Sequence, residues 1–580
     1  MKRRILAGAV VSAICTLLGC GGGNGIYQSL AVSPTIMVSP ATANVQQGGT
    51  QQFVAAVTNS VDDTVTWEVN SVMGGNPTLG TIDMNGVYTA PALVPDPPNI
   101  TVTAILNAAT NFSSNSILTV TSVVFNNSSF QGNYVLSLRG IDATGAPFYA
   151  AGAITADGHG NITGGEEDLN DLSSGYAHTS SITGNYMVGP DGRGTLNLTS
   201  SLGTFSYAFA LSLGDNAGLN EMDSNAINAA GNLELQARGV TAPAGNYAFG
   251  FTGTSSACGA LNSIGLFALS SGAIGGLQNA NCGGTVTQSQ ALTGSYGDPD
   301  ALGRGPGSFA ANSGTSDIIY YWVSATRYRF LCSDKGAPFL GSADLQTQSS
   351  FAASDFTGSY VIATSSRSQS GAANALIQIS PSNGNIPNGY FDINDTGTFN
   401  SSPLSGAYAL GANGYVTGTL NASFASLPFS MYLVSPTQLY YLDLETTTSG
   451  GGSGYAQNKT IATSNAGFAG SYADEQLGYF TAGGTISPGN SNSVSGQISS
   501  NGSGGLSGTL DIKDPTGPFP ALPLQGSYNI GLAVPGRGGS KITTTDGTRN
   551  YVTYIVNQQR VEMLEIDISI TALGEAIRQF

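Results

Sequence analysis

Residues 231–236 read GNLELQ. The same frame returns as GSADLQ at 341–346, GSGYAQ at 452–457 and GEAIRQ at 574–579. Working outward from this Gly-x-x-x-x-Gln ending, a Gly-x-Tyr triplet opens each stretch, at Gly132, Gly245, Gly358 and Gly470. The steps between these glycines are 113, 113 and 112 residues. A second Gly-x-Tyr falls in mid-stretch at Gly184, Gly294, Gly406 and Gly526. Self-similarity at a fixed period is the mark of tandem units. The chain therefore carries four of them, at 123–241, 242–349, 350–460 and 461–580.

Inside each unit the order recurs. A Gly-x-Tyr strand is followed by a strand, a Gly/Asn turn and another strand. Then come the second Gly-x-Tyr strand, a turn, a strand opening Gly-Thr or Gly-Ser, a hairpin and the closing segment. Seven or eight short strands in about 110 residues, with turn residues every 8–12 or so, predict an antiparallel meander closed as a barrel or folded as a sandwich. The rival is a β-propeller built from half-units of about 50 residues. In unit 2 the late hairpin reads IYYWVSATRYRFLCSD. A turn centred on Ala325-Thr326 pairs Val323 with Tyr328, Tyr321 with Phe330 and Ile319 with Cys332 on one apolar face. Trp322 then falls on the other face with Arg327 and Arg329, as an exposed aromatic. The corresponding centres are Pro436-Thr437 and Gln558-Gln559. The stretch GPDGRG at 189–194 invites a ligand-loop reading. Its counterparts in the other units mark it as a turn between strands, with Arg193 dispensable because unit 3 has no arginine there.

Composition narrows the function classes. Only 9% of the 580 residues are charged and 80 are glycine, while aromatics reach 9%. This suits short strands and tight turns rather than disorder. Without Lys2, Arg3 and Arg4 the chain holds 15 basic and 35 acidic residues, a net charge near −20. Such a surface repels nucleic acid and anionic membranes and tolerates cations and neutral sugars.

The chain opens MKRRILAGAVVSAICTLLGC. A basic start, an apolar core too short to span a bilayer comfortably, and LLGC at 17–20 follow in that order. This resembles a bacterial lipoprotein signal. The resemblance implies a signal peptide at 1–19, lipid attachment at Cys20, and a flexible tether at 20–33. With Gly21 after the cysteine, it implies placement in the outer membrane, on the surface or periplasmic face. Residues 34–122 contain GGTQQF, a strand with Trp67, and NGVYTAP. They resemble the bacterial Ig-like domains of invasin-type surface proteins, which implies a β-sandwich with Trp67 in its core. The repeats resemble avidin-like and lipocalin-like barrels in architecture alone.

Chemistry-bearing residues are few. His159 and His178 lie outside any metal-spaced cluster, and no Gly-x-Ser-x-Gly elbow occurs. The acids Asp157, Glu166, Glu167, Asp168 and Asp171 are the candidates for calcium, or for a carboxylate-dependent glycoside hydrolase. On a strand, however, Glu166 and Asp168 point one way and Glu167 the other, and a solvated strand end is the simpler reading. No other cofactor is indicated. Cys258, Cys282 and Cys332 all fall in unit 2. In an oxidising envelope two of them pair; Cys258 with Cys282 is the favoured pair, Cys258 with Cys332 the alternative. The functional expectation is a lipid-anchored envelope protein that binds glycan or another envelope protein without catalysis. A structural spacer and an envelope hydrolase are the alternatives.

Overall fold

The computed structural model describes residues 32–580 apart from 215, 225–226, 312–313, 369–370, 458–463, 481–490, 532 and 569. The signal segment and Cys20 lie outside the described residues. Residues 32–122 form a module of short strands, with Thr42–Gln46, Ser113–Thr121, Asn99–Leu106, Val65–Val69 and Val72–Met73 in its largest sheet. Its core gathers Phe53, Trp67 and Tyr88, all buried.

Each repeat is an eight-stranded closed barrel, all antiparallel. Barrel 2 runs Gly245–Ser255, Gly259–Ser270, Ala273–Cys282, Thr285–Tyr296, Arg304–Ala311, Gly314–Ser324, Arg327–Cys332 and Phe339–Leu345, and the last strand pairs with the first. Barrels 3 and 4 follow the same plan. In barrel 1 the first eight-strand ring carries an added hairpin strand, Gly175–Thr179, beside Asn161–Asp171. Both Gly-x-Tyr strands of a unit belong to one barrel, so the half-unit propeller is ruled out. Alternation explains the closure: the inward side chains of every strand meet in one apolar cluster per barrel. The first tyrosines, Tyr134, Tyr247, Tyr360 and Tyr472, are all fully buried there.

The late hairpin corrects the expected pairing. The turn is centred on Ala325-Thr326, with Ser324 opposite Arg327, but Val323 is bulged out of the ladder. Every earlier pair therefore slips by one residue: Trp322 faces Tyr328, Tyr320 faces Phe330, and Ile318 faces Cys332. The same irregularity recurs between Leu433 and Ser435, and between Ile555 and Asn557. Trp322 consequently points into barrel 2, where it is 2% exposed. The expected surface aromatic is a core residue.

The outward faces are buried as well, because the four barrels pack in a closed ring. Val135, Tyr149 and Ala151 of barrel 1 meet Ile319, Tyr321 and Leu331 of barrel 2. Ala248 and Ile264 of barrel 2 meet Tyr432, Val434 and Leu442 of barrel 3. Val361 and Leu376 of barrel 3 meet Val552, Tyr554 and Leu564 of barrel 4. Barrel 4 then returns to barrel 1 through a polar seam. Lys513 is ion-paired with Glu221, and Asn228 donates to the carbonyls of Ser491 (3.1 Å) and Lys513 (3.2 Å). Asn220 donates to the carbonyl of Asp511 (3.0 Å).

Repeat-marking residues make the joints. Each closing glutamine donates its amide to two backbone carbonyls of the following barrel. Gln236 reaches Leu302 and Trp322, at 2.9 and 2.6 Å. Gln346 reaches Asn413 and Leu433, at 3.1 and 2.8 Å. Gln457 reaches Pro535 and Ile555, at 3.2 and 2.9 Å. Gln579 reaches back to Asp191 and Leu211 of barrel 1, at 2.9 and 3.2 Å, and so closes the ring. The amide lands on a turn glycine. A Cβ at Gly192 would sit 2.6 Å from Gln579 Nε2, and one at Gly303 would sit 2.5 Å from Gln236 Nε2; both glycines have positive φ.

Arg193 is not dispensable. Its guanidinium grips the Asp511 carboxylate of barrel 4, with Nη2 at 2.6 Å from Oδ1 and Nε at 3.1 Å from Oδ2. Arg304 grips Asp168 of barrel 1 and Arg537 grips Asp392 of barrel 3 in the same way. Barrel 3 has Tyr415 at this place, and the barrel it faces has Asn279 where the aspartate would stand. Acid and base are absent together. Among the described residues, Asn279 Nδ2 and the buried Tyr432 hydroxyl at that joint have no hydrogen-bond partner.

Candidate functional site

A cavity lies outside the barrels, between them. It sits on the axis of the ring, has a volume of about 290 Å³, and takes its walls from all four barrels. Its position follows from strand alternation. The first strand of each barrel turns two positions to the axis: Ser137, Gly250, Ala363 and Glu475 in one layer, Arg139, Thr252, Ser365 and Leu477 in the next. The last strand adds Asn232, Ser342, Ser453 and Glu575 beside the first layer. The axis is thus built from equivalent positions filled by unlike residues. Barrel 4 supplies adjacent glutamates and barrel 1 an arginine with an asparagine.

Around this cavity a chain of polar contacts passes from barrel to barrel. Asn232 donates to Glu475 Oε2 at 2.9 Å and accepts from Arg329 at 3.2 Å. Arg329 is ion-paired with Glu234, and Arg327 Nε lies 2.7 Å from the same carboxylate. Arg327 also reaches Asp344 at 2.9 Å, which accepts from Gln438 at 3.0 Å and from the Tyr440 hydroxyl at 2.5 Å. Arg560 lies 4.1 Å over the Tyr455 ring and is ion-paired with Glu575 and, at 3.2 Å, with Glu562. Arg139 is the exception. It lines the cavity, yet among the described residues no carboxylate lies within ion-pair distance of it.

Electrostatics divide the acids into two groups. Burial, then the charge of Glu575, pushes the Glu475 carboxyl up to about 8; the Arg139 charge offsets only part of this. Burial likewise pushes Glu562 up to about 7, against the pull of Arg560. For Glu234 burial acts upward too, but Arg327 and Arg329 together hold it below the usual carboxylate range.

The acids singled out in the sequence are separated by the fold. Asp157 closes its own turn, accepting from the His159 and Asn161 amides at 2.7 and 3.0 Å. Glu167 points into barrel 1, where it lines a cavity of about 60 Å³ with Asp142, Asp171 and Glu221. Burial pushes Glu167 up to about 7. Glu166 and Asp168 point out towards barrel 2. Asp168 is 0% exposed and is held by Arg304, Tyr176, Tyr321 and, at 3.1 Å, His178 Nδ1. Asp171 accepts from Ser173 and Ser174 in the adjoining turn. Among the described residues no three His, Cys, Asp or Glu side chains gather to hold a metal ion. Cys258 and Cys282 are joined in a disulfide with Cα atoms 5.6 Å apart, and Cys332 is a buried free thiol that burial pushes up to about 12. Sequence reasoning missed Arg139, Asn232 and Glu475. Their signal was a column comparison: outward positions flanking the repeated motifs that hold Gly, Ala or Ser in some units hold charge in others.

The raised carboxyls carry a pH prediction. Glu166, Glu221 and Glu475 stand at about 8, and Glu167, Asp474, Glu562 and Glu565 at about 7. A carboxyl whose folded value lies above its unfolded value stabilises the fold below the unfolded value. That contribution is lost as pH rises through the folded one. Buried Glu167 alone contributes on the order of 3 kcal/mol. Asp142, Asp157, Asp168 and Glu234 are lowered and act oppositely, losing their contribution as pH falls below about 4. The melting temperature is expected to peak near pH 5 and to fall by pH 8; a melting temperature that climbs steadily from pH 5 to pH 8 contradicts these assignments.

The chain matches no protein-family model, and no curated protein resembles it in sequence.

Proposed function

We propose that this chain is a lipid-anchored cell-envelope binding protein that holds its ligand without chemical change. In this reading Cys20 carries the lipid, the Ig-like module with Trp67 at its core is a stalk, and the barrel ring presents the binding site. The axial cavity carries the reading. It is a concave, polar site walled by four barrels, each with an apolar core of its own, with aromatic rings at Tyr440 and Tyr455. The fold also speaks for binding over hydrolysis. Glu167 and Asp168, the carboxylates a hydrolase would need together, point to opposite faces of their strand, and Asp168 is committed to the joint with barrel 2.

Protein beginning after Cys20 is expected to bind a subset of envelope glycans or their fragments on an array, with no hydrolysis of what it binds. Silence across neutral, acidic and basic glycans and in envelope pull-downs would overturn the reading in favour of a spacer. Turnover of a bound glycan that is lost on Glu167→Gln would overturn it in favour of a hydrolase. Anchoring is tested separately: Cys20→Ala is expected to move the full chain out of the membrane fraction, and retention there contradicts lipid attachment.

A further inference from the structure

We propose that the axial cavity takes a small hydroxylated monocarboxylate, a sugar acid of monosaccharide size, with its carboxylate on Arg139 and its hydroxyls on Asn232, Ser137 and Glu475. The proposal rests on the reading of this cavity as the binding site. Its first support is the charge pattern. Arg327, Arg329 and Arg560 are each ion-paired, to Glu234, Asp344, Glu562 and Glu575, whereas Arg139 faces the same space with no ion-pair partner among the described residues. A guanidinium without an ion-pair partner, set in a concave wall, is a strong site for one carboxylate, which it engages with two parallel hydrogen bonds.

The second support is the neighbourhood of that cation. Ser137 stands two residues before Arg139 on the same outward face, and its hydroxyl lies 3.3 Å from Asn232 Oδ1. Asn232 in turn donates to Glu475. These groups offer donors and acceptors side by side, the pattern that vicinal hydroxyls satisfy. Of the four arginines of the wall, Arg139 alone has no acid within ion-pair distance among the described residues, and a single monoanion completes that pairing. A polyanion is repelled by the chain's net charge of −17. The volume of about 290 Å³ lies at the small end of ligand cavities.

The test uses protein beginning after Cys20 and calorimetric titration at pH 6.5 with glucuronate, galacturonate and gluconate. Glucose and galactose serve as neutral probes and glucosamine as the cationic one. At least one of the three acids is expected to bind at least tenfold more tightly than its neutral counterpart. Arg139→Gln is expected to remove at least tenfold of that affinity with an unchanged melting temperature. Neutral or cationic sugars binding as tightly as the acids, or unchanged affinity in Arg139→Gln, would overturn the ligand class while leaving the cavity a binding site. No heat or melting shift with any probe, together with a silent glycan array, overturns both this proposal and the reading it rests on.

Discussion

Replacing Arg304 with methionine is expected to lower stability by about 3–5 kcal/mol, measured by denaturant unfolding. The arginine is the cation held against Asp168, which is 0% exposed, at 2.7 and 2.8 Å. Its removal leaves that carboxylate with two tyrosine hydroxyls and a histidine and no permanent positive charge. The joint between barrels 2 and 3 shows how the same place is filled without charge, by Asn279 and Tyr415. The double variant Asp168→Asn, Arg304→Tyr copies that joint. It is expected to be more stable than Arg304→Met by at least half of the loss, because no unpaired buried charge is left. Single-variant losses below 1 kcal/mol that simply add in the double variant would show that the ion pair does not hold the barrels together.

The second large effect is expected at Trp322. Trp322→Ala should cost about 3–5 kcal/mol, since it empties the middle of a filled barrel. The indole is 2% exposed and shares its cluster with Phe249, Tyr320 and Tyr328. Trp322→Phe keeps most of the volume and should cost less than half as much. A surface aromatic used for ligand stacking behaves in the opposite way: its alanine variant loses binding and keeps its melting temperature. That result would place Trp322 outside the core.

Trp322 also shows where the sequence ceased to be legible. Strand positions, turn centres and the length of each unit followed from glycine, tyrosine and alternation, because those are local properties of the chain. The bulge at Val323 is not local. It goes with how the hairpin closes its barrel and meets barrel 1, and it moves every earlier side chain to the other face. The late hairpin was expected to have one dry and one half-polar face. In the ring the inward face is dry, with Tyr320 and Trp322 inside barrel 2, while the outward face packs Ile319 and Tyr321 against barrel 1 and turns Arg327 and Arg329 to the axial cavity.

Arg193 failed for a related reason. One unit lacks the arginine, and the absence reads as dispensability until the facing residue of another barrel is known. The partner is Asp511, 318 residues away, and in the exceptional joint both members are replaced. The closing glutamines were visible as repeat markers from the outset. That they are clamps, each on a glycine turn of the next barrel, required the ring. The axial site was the least legible part. Arg139 and Asn232 stand on barrel 1 and Glu475 on barrel 4; only closure of the ring brings the glutamate to the other two.

Closure of the ring is therefore the claim on which the site depends, and small-angle scattering from protein beginning after Cys20 tests it most directly. With barrels 1 and 4 joined through Gln579, Arg193 and Lys513, the chain is compact. Its radius of gyration is expected to be about 24 Å, the value for a globular body of this length, with a single narrow distance distribution. A distribution with a long tail and a substantially larger radius, as from four barrels strung in a line, would contradict the ring and with it the axial site.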